Sequence, residues 1–111
     1  MAITRYTTPT ISFEVDLDLT NAELWLSLEQ GESDKQTAVE LTKRIETFTV
    51  DDGVTSFDLT LTQEESAMFD APKGIKAQLN AVFPDGSRLA TEILQLSSYR
   101  NLLEEVKHYG D

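Results

Sequence analysis

Ile11-Ser12-Phe13-Glu14-Val15-Asp16-Leu17-Asp18 alternates apolar and polar residues through four full periods. Successive side chains of a strand point to opposite faces, so this stretch predicts a strand with one dry face and one wet face. The same period recurs downstream. Leu24, Leu26 and Leu28 alternate with Trp25, Ser27 and Glu29; Phe57, Leu59 and Leu61 alternate with Asp58, Thr60 and Thr62. Ile75, Ala77, Leu79, Ala81 and Phe83 continue the pattern against Lys76, Gln78, Asn80 and Val82.

Turn chemistry separates these runs. Asp51-Asp52-Gly53 divides Phe48 and Val50 from the strand of Phe57, and Asp-Gly supplies the positive φ values that a tight hairpin needs. Pro84-Asp85-Gly86-Ser87 does the same between Phe83 and Leu89. Leu19-Thr20-Asn21-Ala22 and Gly31-Glu32-Ser33-Asp34 read as polar loops.

Two stretches change parity. Val39, Leu41 and Ile45 share one face while Phe48 and Val50 share the other, which predicts a bend or bulge at Lys43-Arg44 between two short strands. Leu89, Thr91 and Ile93 oppose Leu94 and Leu96, which predicts either a bulge or burial on both faces.

Helix signals are few. Thr62-Gln63-Glu64-Glu65 is a capping-box pattern that starts a single turn, stopped before Pro72. Tyr99, Leu102, Leu103 and Val106 fall at i, i+3, i+4 and i+7, the stripe of an amphipathic C-terminal helix. Together these elements predict an all-β fold: an antiparallel, Ig-like β-sandwich of six to seven strands, with one short helical turn and a C-terminal helix. The sandwich is expected over residues 1–97 and the helix or tail over residues 98–111.

Length and charge bound the function. The chain has 111 residues, the size of one domain, with 40% hydrophobic residues and no apolar run long enough to span a bilayer. Met1-Ala2-Ile3-Thr4-Arg5-Tyr6 lacks the apolar core of a secretory signal, so a soluble chain, cytosolic where it is made, is expected. Nine Lys and Arg stand against 20 Asp and Glu, a formal net charge of −11. Nucleic-acid backbones and anionic membranes repel such a surface, so neither is expected as a partner. The imbalance is sharpest early: Glu14, Asp16, Asp18, Glu23, Glu29, Glu32 and Asp34 are set against Arg5 alone.

Chemistry-bearing patterns are weak. The chain has no cysteine, which removes disulfides, thiolate nucleophiles and cysteine-based zinc sites. His108 is the single histidine, close to the terminus, where no rigid triad is expected. Asp16, Asp18 and Thr20 resemble the start of a calcium loop, but Asn21 and Ser27 stand where an EF-hand needs Gly and Glu. No catalytic residue, cofactor or metal site is therefore expected, and the chain is expected not to be an enzyme.

Surface anchors are the remaining candidates. Trp25 has the parity opposite to Leu24, Leu26 and Leu28, so it lies on the far face of its strand, either covered or serving as an aromatic anchor. Tyr99, Leu102, Leu103 and Val106 either close the domain or meet another subunit. Arg5 and Tyr6 form a frayed terminus or an arm.

Three segments carry a resemblance. Arg5-Tyr6-Thr7-Thr8-Pro9-Thr10-Ile11-Ser12-Phe13 is similar to the opening of small prophage proteins of Gram-positive bacteria, which begin Gly/Arg-x-Thr-Thr-Pro before their first strand. Leu59-Thr60-Leu61-Thr62-Gln63-Glu64-Glu65-Ser66 resembles their strand followed by Leu-Thr-Gln-Glu-Glu-Thr. Ala77-Gln78-Leu79-Asn80-Ala81-Val82-Phe83-Pro84-Asp85-Gly86 resembles their Gln-Leu strand and Asp-Gly turn. The chain thus resembles tail- and baseplate-associated β-sandwich proteins, and the N-terminal domain of siphophage upper baseplate proteins, from Arg5 to Leu103.

The resemblance implies a non-catalytic structural role in a phage tail, through docking to other tail or baseplate proteins in a homo-oligomer or hetero-assembly. It implies synthesis in the bacterial cytoplasm and residence in the virion. The alternatives are a carbohydrate- or receptor-binding module, with Trp25 or a tyrosine stacking on a sugar, and an acidic mimic of nucleic acid.

Overall fold

The computed structural model describes residues 2–31 and 39–110. In chain order the elements are β1 (Ala2–Thr4), β2 (Thr10–Val15), β3 (Glu23–Gln30), β4 (Val39–Ile45), β5 (Thr49–Asp51), β6 (Val54–Thr60), α1 (Gln63–Ala67), β7 (Lys73–Val82), β8 (Arg88–Ala90) and β9 (Leu94–Tyr99). The fold is all-β, as the alternating pattern requires. The strands form two sheets. The larger runs β1-β9-β7-β3-β4 with β8 beside β7, and the smaller runs β2-β6-β5. All pairs are antiparallel except β1 with β9.

The period-two reading places the core correctly. Ile11, Phe13, Phe57 and Leu59 of the smaller sheet share one buried cluster with Leu24, Leu26, Leu28 and Leu79 of the larger. Phe13 pairs with Phe57 across β2 and β6, their rings stacked 5.2 Å apart at 14°. Such a pair adds about 1 kcal/mol beyond the area it buries.

Both turns form as their residues demand. Asp52 (φ 51°) and Gly53 (φ 76°) fill the two central positions of the β5–β6 hairpin, the double left-handed geometry of a type I′ turn. In the β7–β8 turn the Gly86 N–H donates to the Phe83 carbonyl at 2.9 Å, and Asp85 Oδ1 accepts from the Ser87 N–H at 2.8 Å. The Ser87 hydroxyl and N–H hold the Asp85 carboxyl below its ordinary value.

The parity change after Ala90 is a bulge. Asn80 pairs with Ala90 and Ala77 with Leu94, so β8 and β9 oppose one strand with a one-residue slip between them. Thr91 repairs the ladder at the slip. Its N–H donates to the Leu79 carbonyl at 2.9 Å, and its hydroxyl accepts from the Leu79 N–H at 3.1 Å.

Four expectations need correction. Lys43-Arg44 is neither a bend nor a bulge: β4 runs through it in constant register with β3, from Leu24↔Ile45 to Gln30↔Val39. The parity change belongs to Glu46–Phe48, where the chain leaves the larger sheet for β5 in the smaller one. The expected polar loop 19–22 buries Leu19 and Ala22 in the core, and the buried Thr55 hydroxyl bridges the Leu19 N–H and the Leu17 carbonyl there. Nine strands form among the described residues where six to seven were expected: β1, with three residues, is too short to show a period, and the single strand expected from Leu89 to Leu96 divides into β8 and β9. Residues 32–34 of the second predicted loop, and residues 36–38 ahead of β4, lie outside the described residues.

The fourth correction concerns the C-terminal helix, which does not form. Tyr99 is the last residue of β9, paired with Thr4, and its carbonyl accepts from the Arg5 N–H at 3.0 Å. Asn101 Oδ1 takes the Leu103 N–H at 3.0 Å, while Asn101 Nδ2 donates to the Arg5 carbonyl. Gln63 exchanges two hydrogen bonds with the backbone of Lys107. A helix of so few residues is marginal alone, and these tertiary bonds take the groups it would use.

Candidate interaction surfaces

The capping box expected at Thr62 is present and does more than start α1. The Glu65 N–H donates to Thr62 Oγ1 at 3.1 Å, and Glu65 Oε1 accepts from the Thr62 N–H at 2.9 Å. Lys43 Nζ of β4 lies 2.9 Å from the same carboxylate oxygen and donates to the Thr60 carbonyl at 3.0 Å. Partial burial works against the Glu65 charge, but the Thr62 and Lys43 bonds outweigh it and hold the carboxyl below its ordinary 4.5. Lys43 thus ties β4 to α1 through the ion pair and to the end of β6 through the Thr60 carbonyl.

Buried polar side chains fasten the rest of the frame. Gln30, 5% exposed, donates to the Asp70 carbonyl at 2.8 Å and accepts its N–H at 2.6 Å. The buried Ser66 hydroxyl accepts from the Thr7 N–H at 3.0 Å and lies 2.7 Å from the Thr7 carbonyl. Arg5 is neither frayed nor an arm. It donates to the Ala67 carbonyl at 3.0 Å, pairs with Glu104 at 2.9 Å and stacks over Tyr6. These long-range partners carry no local pattern, so sequence reading missed them.

Trp25 lies on the outer face of β3, half-buried, with the Arg44 guanidinium 5.5 Å from its ring centroid. Ser27, Thr42, Asn80 and Arg88 line the shallow depression beside it. The tail residues are elsewhere. Trp25 pairs with Asn80 of β7, whereas Ser98 pairs with Lys73, seven residues away along the same strand, or about 23 Å at strand spacing. The two candidate anchors therefore form separate surfaces.

Within the tail, Leu102 is 96% exposed, Leu103 53% and Tyr99 52%, while Val106 is half-buried. Tyr109 is fully exposed as well. His108 is exposed near Thr8 and Gln63, in a shallow hollow beside α1. Asp18 closes a local turn instead of a cation loop. Its Oδ1 accepts from the Thr20 hydroxyl and N–H, and those bonds, hydroxyl first, lower its pKa. Among the described residues no three His, Asp or Glu side chains gather as metal ligands, and no helix is long and apolar enough to cross a membrane.

A third surface escaped the sequence reading. A cleft of about 510 Å³ opens between the sheets, with Phe13, Leu26, Phe57 and Leu79 in its buried lining and Leu17 and Leu94 at its mouth. Alternation marks these residues only as core. What could have signalled the cleft is Leu17: its inward parity continues past Val15, where β2 ends and pairing with β6 stops.

No protein-family model matches this chain, and no curated protein matches it.

Proposed function

We propose that this protein is a non-catalytic structural component of a phage tail or baseplate, and that it works by docking other proteins. The observation that carries the docking reading is the exposed apolar tail, Tyr99, Leu102 and Leu103, held in place by the bonds of Asn101 and Glu104 to Arg5 and of Lys107 to Gln63. Large apolar side chains fixed on a surface and rimmed by polar groups mark contact sites. The phage setting rests on the three similar segments, which lie in the stretch leading into β2, the β6–α1 junction and the β7 hairpin. Residence in the virion after synthesis in the cytoplasm follows from that setting.

The strand order supports an Ig-like assignment within this reading. β2, β6 and β5 correspond to one sheet of an immunoglobulin sandwich, and β9, β7, β3 and β4 to the other, with β1 carried across to β9. The helical turn α1 joins the sheets between β6 and β7.

The carbohydrate-binding alternative needs a free aromatic face. Arg44 lies over the Trp25 ring, so a stacking sugar would have to displace that cation.

Replacing Leu102 and Leu103 with Asp tests the docking surface. Both side chains are exposed, so thermal stability should stay within about 0.5 kcal/mol of wild type. Incorporation into particles, assayed by complementing a deletion, should fall. Wild-type incorporation of the folded double variant would refute the tail as the contact.

A further inference from the structure

The inter-sheet cleft opens where β2 forms the edge of the smaller sheet and β8 with the Thr91 bulge forms the local edge of the larger. Three observations converge there. First, the strands flanking it have unused edges. Among the described residues β2 pairs only with β6, and β1 covers β9 only at Ser97–Tyr99, leaving Leu94–Leu96 open on that side. Backbone donors and acceptors on an open strand edge are spaced to receive another extended chain. Second, Leu17 (39%) and Leu94 (42%) stay exposed at the mouth of a cleft whose depth is apolar. Third, the charged lining residues are Glu14, Asp16 and Glu92, with no lysine or arginine among them.

We propose that this cleft accepts an extended strand from another protein, with apolar side chains at every second position and lysine or arginine at its flanks. Strand pairing along β2 directs alternate side chains inward, and the apolar lining takes those. The flanking cations meet the rim carboxylates. A second copy of this chain does not fit this description, because a net charge of −11 on each partner opposes association at an acidic rim. The surface is separate from the Tyr99–Leu103 tail, so it stands or falls independently of the docking reading above.

The test uses the full chain and three synthetic peptides. The first alternates valine and threonine and carries two lysines at each end. The second replaces those lysines with glutamates. The third keeps the lysines but has alternate backbone nitrogens methylated, which removes strand pairing. The first peptide should bind, with amide NMR shifts concentrated on Val15, Leu17, Thr91 and Leu94, and the other two should bind at least about tenfold more weakly. The variant carrying Leu17→Lys and Leu94→Lys, both at exposed positions, should remain folded and lose about tenfold or more in affinity for the first peptide. Absence of binding by the first peptide up to roughly 1 mM would overturn the proposal. So would equal binding of the glutamate peptide, undiminished binding of the methylated one, shifts mapped outside the cleft, or full affinity in the folded double variant.

Discussion

Single side chains that replace missing backbone partners hold this frame together. Gln30 is the clearest case: its amide satisfies both the N–H and the C=O of Asp70 from a buried position on β3. Gln30→Leu keeps the volume but orphans two backbone groups, which should cost about 2–4 kcal/mol, read as a lowered midpoint in chemical denaturation. Ser66 plays the same part for Thr7, and Ser66→Ala should cost about 1–2 kcal/mol in the same assay. Neither role is legible in the sequence. Gln30 and Asp70 are 40 residues apart, and alternation would leave a polar Gln30 at an apolar parity unexplained.

Glu65 adds a pH dependence at this scale. Its pKa is depressed in the folded state, so its contribution is fully present above the unfolded value near 4.5 and is lost as pH falls through the lower folded value. The stability gap between wild type and Glu65→Gln should therefore be constant near neutral pH, narrow below about pH 4.5 and close in stronger acid. Denaturation curves across that range check the sign; a gap that widens in acid would contradict it.

Among the elements, local patterns with their own chemistry were readable and patterns that depend on distant partners were not. The strands of Ile11–Val15, Leu24–Leu28 and Ile75–Ala81 follow from period two, and the Asp52-Gly53 turn from its φ requirement. The capping box at Thr62 likewise depends on residues three apart. The C-terminal stripe was misleading because a helical spacing of Tyr99, Leu102, Leu103 and Val106 competes with strand pairing to β1 and with the Gln63–Lys107 clamp. Those competitors lie far away in the chain. The bulge was anticipated as one of two options, and the Thr91 hydroxyl explains how it is stabilised. Thr91→Val preserves shape and removes the acceptor for the Leu79 N–H, so it should destabilise by about 1–2 kcal/mol and speed hydrogen exchange at Leu79.

For the whole molecule, the two sheets bury one core and leave the chemistry to the surfaces. The candidate anchors named from parity alone divide once the fold is known. Trp25 sits under Arg44, while the tail exposes Leu102 and Leu103. Which of these side chains would be uncovered could not be read from parity, because it depends on what the tail packs against. The strong acidity was readable, but not its gathering at the mouth of the cleft through Glu14, Asp16 and Glu92. Glu14 and Asp16 share the outward parity of β2 and its continuation, whereas Glu92 joins them only through the Thr91 bulge.

The proposal on which the rest depends is that this chain is a structural part of a phage particle. Quantitative mass spectrometry of purified particles from a lysogen encoding it tests that most directly. A structural part should be found in intact particles at a fixed ratio to tail proteins. Its absence from those particles, despite clear expression in the cell, would contradict the claim.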